Sequence, residues 1–356
     1  MSDFFSRLGI RLPIIQAPMA GTSTPQLAAA VTDAGGLGSI ALGAVDAAAG
    51  RDMIAAVRRA TGGPFNVNVF CHRPARSDPA VNAAWLAALA PTFARFGAAP
   101  PDKLTEIYTS FVADPHMLAM LEEMRPPVVS FHFGLPPPET IARLKSAGVV
   151  LFATATSLPE AQASLAAGVD AVVAQGWEAG GHRGMFDPSA PDAQLGVAPL
   201  TRLLVKHMPI PVIAAGGLMD GAAVAAVLAL GAQAAQLGTA FVACPESSAD
   251  AFHREALMAP GAAATEMTAL ISGRPARCLP NAFTALSAGP LGVTPRPDYP
   301  IAYDAGKALA GAARARGDGG YGAQWAGQGA PLARALPAAA LMAALERELD
   351  EARRRG

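Results

Sequence analysis

From Pro13 onward, short apolar runs alternate with longer alanine-rich segments in which apolar positions return at helical spacing. This alternation predicts repeated strand–helix units around a parallel sheet, whose strands read as continuous apolar runs because helices cover them. Strands are expected over 13–18 (PIIQAP), 37–42 (LGSIAL), 65–70 (FNVNVF), 128–133 (VVSFHF), 149–154 (VVLFAT), 170–175 (DAVVAQ), 211–215 (PVIAA) and 234–239 (AAQLGT). Between them, helices are expected over 25–33, 46–60, 138–147, 159–167, 199–207 and 221–230; several begin at Ser, Thr or Asp followed by Pro or Glu, and several stop at Gly. Eight strands separated by helices is the number that closes a (β/α)8 TIM barrel.

Two regions break the alternation. Residues 73–127 are too long for one crossover and carry helical patterns over 81–96 and 102–124, so a helical insertion is expected after the third strand. Beyond the eighth strand, helical patterns over 249–258 and 337–355 flank a Gly/Pro/Arg-rich middle, which predicts a cap over one barrel mouth. The expected division is therefore a barrel of residues 1–72 and 128–258, an insertion of 73–127, and a cap carrying part of the pocket, 259–356.

Composition narrows the class. Hydrophobic residues make up 52% of the 356 and charged residues 15%, which describes a core-rich globular chain and disfavours disorder. A formal net charge of -1 gives no global field for a nucleic acid. Cys71, Cys244 and Cys278 are odd in number and widely spaced, with no metal-ligand pair, which fits a reducing compartment and a cytoplasmic protein. The amino terminus lacks a basic region followed by a long apolar run, and 221–230 is too short to span a bilayer, so neither a signal peptide nor a membrane partner is expected. A monomer or a homodimer is expected.

In a TIM barrel the chemistry sits at the carboxyl ends of the strands, and a phosphate is commonly held by the loops after strands seven and eight. Here the seventh runs into Gly216-Gly217-Leu218 and the eighth ends in Gln236-Leu237-Gly238-Thr239. Backbone N–H groups at a glycine turn before a helix form an anion nest, and Thr239 adds a hydroxyl. Strand one delivers Ala17-Pro18-Met19, suited to lying against a flat ring, while Asn66 and Asn68 share one side of strand three and Gln175 closes the opposite side. Amides donate and accept, matching a ring edge that alternates carbonyls and N–H groups, so the set points to FMN. Strand six continues into GWEAGGHRG, where Gly180 and Gly181 let the backbone approach a ligand and His182 follows directly.

In order, IIQAPMAGTSTPQLAAAVTDAGGLGSI, FNVNVF, VSFHFG, AQGWEAGGHRG, PVIAAGGL and QLGTAF, with DYPIAYDAGK and QWAGQ in the tail, resemble the class I nitronate monooxygenases, formerly called 2-nitropropane dioxygenases, over residues 14–329. The resemblance implies an FMN-binding barrel that oxidises alkyl nitronates, above all propionate 3-nitronate, with O2 to a carbonyl compound and nitrite, a detoxification that needs no reduced nicotinamide. It implies FMN contacts at Asn68, Gln175, Gly180, Gly217, Gln236, Leu237, Gly238 and Thr239, with Met19 under the ring. It further implies His182 beside the substrate and a pocket lined by His132, Tyr108, Tyr299, Tyr303 and Lys307.

A nitronate carries its charge over two oxygens and a carbon, so it needs donors at one end and an apolar, dry wall. Tyr299, Tyr303 and Lys307 follow at intervals of four and would share a helix face closing over the pocket, with Lys307 attracting a substrate carboxylate. No base is needed for a substrate that arrives deprotonated; for a neutral nitroalkane, an imidazole near its ordinary pKa of about 6.5 could take the α-proton, His182 first and His132 second. The rival activity on the same barrel is an FMN-dependent NADH:quinone or enoyl-thioester reductase, which is not expected to share VSFHFG and the YxxxYxxxK row. A non-catalytic phosphate-ligand sensor is the rival from outside enzymology.

Overall fold

The computed structural model describes residues 3–355. Its strands, in chain order, are β1 (Ile14–Gln16), β2 (Gly38–Ala41), β3 (Phe65–Phe70), β4 (Val128–His132), β5 (Val150–Ala155), β6 (Ala171–Gln175), β7 (Gly181–His182), β8 (Val212–Ala215), β9 (Ala234–Leu237), β10 (Glu266–Thr268) and β11 (Ala276–Cys278). All but β7, β10 and β11 form one parallel sheet, in the order β1-β9-β8-β6-β5-β4-β3-β2. The sheet closes where the Gln16 N–H donates to the Leu37 carbonyl at 3.0 Å and the Leu37 N–H donates to the Ile14 carbonyl at 3.0 Å. The result is the expected α/β TIM barrel, and each barrel strand lies within or one residue beyond its expected range.

The two-residue period of a strand divides each barrel strand between two cores. Val129, Phe131, Leu151, Ala153, Val172 and Val212 face the helices. Val128, Phe152, Val173, Ile213 and Ala234 face inward and meet Phe5 from the amino-terminal helix Asp3–Arg7. Phe5 stands edge-on to Phe152 at 6.3 Å, so one end of the barrel is sealed by aromatic packing. Toward the opposite, carboxyl rim the inward positions become mostly polar, whereas Asn66, level with Val128, is a polar position lower in the barrel and donates to Ser39 at 3.2 Å.

The helices start where side chains can satisfy their first N–H groups. Thr24, Asp46, Ser157 and Asp220 each accept from the N–H three residues on, opening Pro25–Asp33, Ala47–Ala60, Leu158–Ala167 and Gly221–Ala229. Pro115–Met124 opens on Asp114 in the same way, and Met117, Met120 and Leu121 pack it into the outer layer beside Ile54 and Val57.

Three expectations are corrected. The helix expected over 102–124 begins only at Pro115; apart from a 3-10 turn at Phe111–Ala113, residues 98–114 are irregular. Tertiary contacts hold that stretch: the Thr105 N–H donates to Asp304 at 2.8 Å, while Leu104 and Tyr108 bury against the tail and the barrel mouth. His182, expected in a turn, lies in β7, which pairs antiparallel with β11 of the tail, and β11 pairs with β10. The last helix, Ala338–Arg355, is not part of a cap. Its apolar stripe of Leu341, Met342, Leu345 and Leu349 packs against Leu27 and Val31 on one side and Val224 and Val227 on the other, in the outer helical layer of the barrel.

Ile271, Tyr299, Tyr303 and Lys307 from the middle of the tail line one cavity with Asn68 and Gln175 of the carboxyl rim. The tail's helix Ile301–Arg314 packs through Ile301, Leu309 and Ala313 on Trp85, Leu89 and Phe93 of Pro79–Arg95. Insertion and tail thus share one apolar cluster above the mouth.

Leu345 is fully buried, whereas Leu332 is 57% exposed. Leu345→Ala is expected to cost about 2–5 kcal/mol in urea unfolding, and Leu332→Ala less than about 0.5 kcal/mol. Equal shifts in the unfolding midpoint would show that the last helix is not part of the barrel core.

Candidate active site

The strand period that builds the inner core also builds the site. Continuing inward parity to the rim gives Asn68 on β3, Ser130 and His132 on β4, Thr154 on β5, Gln175 on β6 and Gln236 on β9, and all six line one cavity of about 750 Å³. Parallel register keeps them level, since Asn68 lies opposite Ser130 and Phe70 opposite His132. Asn68 donates from its amide to both the carbonyl and the hydroxyl of Ser130 at 3.0 Å, which fixes its carbonyl end.

Met19, Tyr108, Gly180, His182, Gly217, Gly238, Thr239, Tyr299, Tyr303 and Lys307 line the same cavity, so nearly all the residues singled out in the sequence converge. Leu237 does not. One position off inward parity, its side chain packs among Val31, Phe241 and Leu345 in the outer core, and its carbonyl accepts from the Ala17 N–H at 2.8 Å. Gly180 lines the cavity, but its lack of a Cβ is required by the tail, since a Cβ would sit 2.4 Å from the Gly327 nitrogen. Gly216 and Gly217 adopt φ of +125° and +69°, a turn that favours glycine, and among the described residues their N–H groups and that of Gly238 donate to no protein acceptor.

The His182 carbonyl organises the rim. It accepts from Gln175 Nε2 at 3.0 Å and from His132 Nε2 at 3.2 Å. A carbonyl can only accept, so the His132 Nε2 carries the proton, and its Nδ1 accepts the Thr154 hydroxyl at 3.1 Å. Both ring nitrogens of His132 are therefore committed to the framework. Gln175 is tied further, its carbonyl end accepting from the Gly184 N–H at 2.8 Å. Arg183 bonds the Gln175 backbone carbonyl at 2.5 Å and pairs with Asp192 through contacts of 2.7 and 3.0 Å.

The His182 ring is held by the tail: its Nε2 meets the Ser272 hydroxyl at 2.8 Å. With the Ser272 O–H directed at the Arg274 carbonyl at 3.2 Å, Nε2 is the donor and Nδ1 is left as the free lone pair of a cavity-lining ring. Trp325, Tyr299 and Phe133 surround that ring at centroid distances of 5.1, 5.3 and 5.5 Å.

Burial sets the charge states. It pushes the His182 pKa down to about 3, helped by His132, Arg274 and His72 nearby. His132 falls to about 4, again by burial, which outweighs its bond to the His182 carbonyl. Both imidazoles are neutral at pH 7. An imidazole near its ordinary value, as the sequence suggested, is therefore not what the site holds. Burial pushes the Tyr108 hydroxyl up to about 12 and the hydroxyls of Tyr299 and Tyr303 well upward, so all three stay protonated donors. Tyr303 and Lys307 lie on the helix Ile301–Arg314, while Tyr299 precedes it. The Lys307 ammonium stands 4.9 Å from the Tyr108 ring and 5.4 Å from the Tyr303 ring, and burial lowers its pKa.

Sequence reading missed Thr154, Ser272, Arg274 and Phe133. Thr154 was accessible from inward parity on the fifth strand. Ser272 and Arg274 come from the Gly/Pro/Arg-rich middle of the tail, where no periodicity assigns a face. Phe133 has φ of +72°, an uncommon and strained conformation for a bulky residue, and Gly134 follows at +134°. That turn places the Phe133 ring 4.5 Å from His132, tilted to it by 54°, and under the Arg274 guanidinium at 4.3 Å.

The cavity therefore combines a neutral imidazole with a free lone pair, three phenolic donors, an ammonium and oriented amides beside unpartnered backbone N–H groups. The sequence profile of the family described as nitronate monooxygenase matches residues 2–348. Nitronate monooxygenase of Paraburkholderia phytofirmans is 62% identical, covering 97% of this chain and 94% of the relative. Nitronate monooxygenase of Pseudomonas aeruginosa is 57% identical, covering 98% and 99%. Among solved structures, nitroalkane oxidase from Streptomyces ansochromogenes superposes with a TM-score of 0.90 at 44% identity, covering 99% of each chain. FabK from Thermotoga maritima superposes with a TM-score of 0.75 at 29% identity, covering 100% of this chain and 98% of that one. Match along almost the whole chain assigns this protein to the nitronate monooxygenase family of oxidoreductases.

Proposed function

We propose that this enzyme binds FMN at the carboxyl rim and oxidises alkyl nitronates, propionate 3-nitronate among them, with O2 to the carbonyl compound and nitrite. The observation that carries the reading is His182, its ring held by Ser272 and its carbonyl by His132, facing a cavity whose other polar groups include oriented amides and protonated phenols.

The residues present fit FMN. The N–H groups of Gly216, Gly217 and Gly238 and the Thr239 hydroxyl would hold its phosphate; the Thr239 oxygen already accepts from the Gly327 N–H at 3.0 Å, leaving its proton to donate. Asn68, Gln175 and Gln236 would meet the polar edge of the ring, and Met19 would lie under it. Bound there, FMN would supply the electron acceptor and the reaction with O2.

This chain's residues bind and orient the substrate. Tyr108, Tyr303 and Lys307 donate to its oxygens or to a carboxylate, and the rings of Phe133, Trp325 and Tyr299 exclude water. A nitronate arrives deprotonated and asks no base of the protein. For a neutral nitroalkane, His182 Nδ1 takes the α-proton, and the imidazolium formed is stabilised by the anion beside it, which reverses the shift set by burial. His132 then acts through the His182 carbonyl rather than as a base.

The kinetic test is oxygen uptake with nitrite assayed as product. His182→Asn is expected to lower kcat/KM for nitroethane by roughly 10²–10⁴-fold, and that for ethyl nitronate by much less. Absence of nitronate-dependent oxygen uptake in the wild type, with rapid anaerobic bleaching by NADH, would replace the proposal with the reductase reading. Gly238→Val directs a branched side chain into the proposed phosphate cradle, where a Cβ meets only Ala17 and Met19 at 3.5 and 3.8 Å. It is expected to lower bound flavin per chain to less than half, while the flavin-free forms of variant and wild type melt at about the same temperature; full retention would remove Gly238 from the cradle.

Stability carries a pH signature of the same site. His72, His132 and His182 have folded pKa values of about 4, 4 and 3, below the unfolded value of about 6.5. Between those limits the unfolded chain binds more protons, so stability is fully present above about pH 6.5 and is lost as pH falls toward 4. Tm is expected to drop across that window, and His132→Gln to flatten the drop; an unchanged slope would show that His132 is not buried neutral.

A further inference from the structure

We infer that Arg274 is the positioning residue that biases the substrate cavity toward anions, acting from behind its wall without touching the ligand. This rests on the nitronate reading of that cavity and deepens it.

Arg274 is 4% exposed. A buried guanidinium is ordinarily matched by a carboxylate. Here no carboxylate lies within 4.0 Å of it among the described residues. The nearest acids are otherwise engaged: Glu160 accepts from Thr156 and from the Phe186 N–H, and Asp187 accepts from Ser189 at the surface. Arg73, the nearby cation, pairs with Asp298. Arg274 itself donates to the Met185 carbonyl and leaves Nε without a partner.

What faces the guanidinium instead is the Phe133 ring at 4.3 Å, placed by the left-handed backbone of that residue. The ring touches His132, Tyr299 and His182 at centroid distances of 4.5, 5.4 and 5.5 Å, so the charge stands one aromatic ring behind the cavity wall. Such a wall does not screen as water does. The unpaired charge raises the potential of the cavity for any anion and disfavours a cationic imidazole, adding to the burial that is the larger cause of the downward shifts of His72, His132 and His182. Packing alone does not require it, because an apolar side chain of similar length would fill the space without a buried charge.

The test compares the holoenzyme with Arg274→Gln, which removes the charge but keeps a donor for the Met185 carbonyl, and with Arg274→Lys, which keeps the charge. Arg274→Met replaces the Gln variant should a buried amide prevent folding. KM for ethyl nitronate is expected to rise on the order of tenfold in the charge-removing variant, what one unit charge supplies across about 10 Å at an effective dielectric near 20, with kcat changed less than threefold. Calorimetric titration with butyrate and with its neutral isostere butyramide provides a readout independent of turnover. Butyrate is expected to weaken in the same proportion, butyramide to stay unchanged, and the Lys variant to remain within threefold of wild type for both.

Equal weakening of butyrate and butyramide, or a Lys variant no better than the charge-removing one, would reduce Arg274 to a packing residue and overturn the inference. Unchanged butyrate affinity would overturn it as well. A wild type that discriminates the two ligands through Arg274 yet consumes no oxygen with nitronates would uphold the inference while removing the proposed activity.

Discussion

The carbonyl oxygen of His182 is the point on which the site depends. It is the shared acceptor for Gln175 of β6 and His132 of β4, while the same residue's backbone pairs with Ala276 of β11 and its ring meets Ser272. A loop just beyond a barrel strand would ordinarily be among the more mobile parts of the fold. Here it is held from inside the barrel by two side chains and from outside by a strand of the tail. Preorganisation of this kind lets an imidazole present one free nitrogen in a fixed direction.

A second constraint follows from burial. The cavity holds cations, phenols, amides and neutral imidazoles, and its lining carboxylate, Asp250, belongs to an ion pair with Arg314 near the ends of their two helices. In surroundings of low polarity each ionisable group is driven to its neutral form unless a partner opposes this, as the phenols and imidazoles show. Strain at Phe133 and the unmatched charge of Arg274 are features a fold selected for stability alone would shed, and they lie together at the wall of the cavity.

The tail and the insertion gain their order from each other. Trp85, Leu89 and Phe93 of the insertion and Leu309 and Ala313 of the tail bury one another above the mouth, and the tail's last helix returns to the barrel's outer layer through Leu341 and Leu345. The cover is thereby anchored at both ends, and Tyr108 of the insertion reaches Tyr299 and Tyr303 of the tail at 6.4 and 6.0 Å.

Apolar periodicity was sufficient for the barrel, because strands covered on both faces and helices with one apolar stripe leave unmistakable spacings. Strand ends rich in Gly, Asn and Gln likewise marked the rim, and Asn68, Gln175, Gly217, Gly238 and His182 stand in one cavity. Leu237 alone of the QLGT motif has its side chain outside the cavity, because a motif read as a block ignores parity: Gln236 points in and its neighbour points out. The helical pattern over 102–124 forms a helix only from Pro115, because the apolar residues before it are spent on contacts with the tail and the barrel mouth, not on a helical face. Ser272, Arg274 and the β7–β11 pairing were invisible for a related reason, since residues some 90 positions apart meet only once the barrel has closed. Local spacing thus determined which elements form and where a site must open. Which nitrogen of His182 is free, which imidazole is locked and where an unpaired charge stands were decided by tertiary structure, because hydrogen-bond geometry and burial exist only between segments that the sequence keeps far apart.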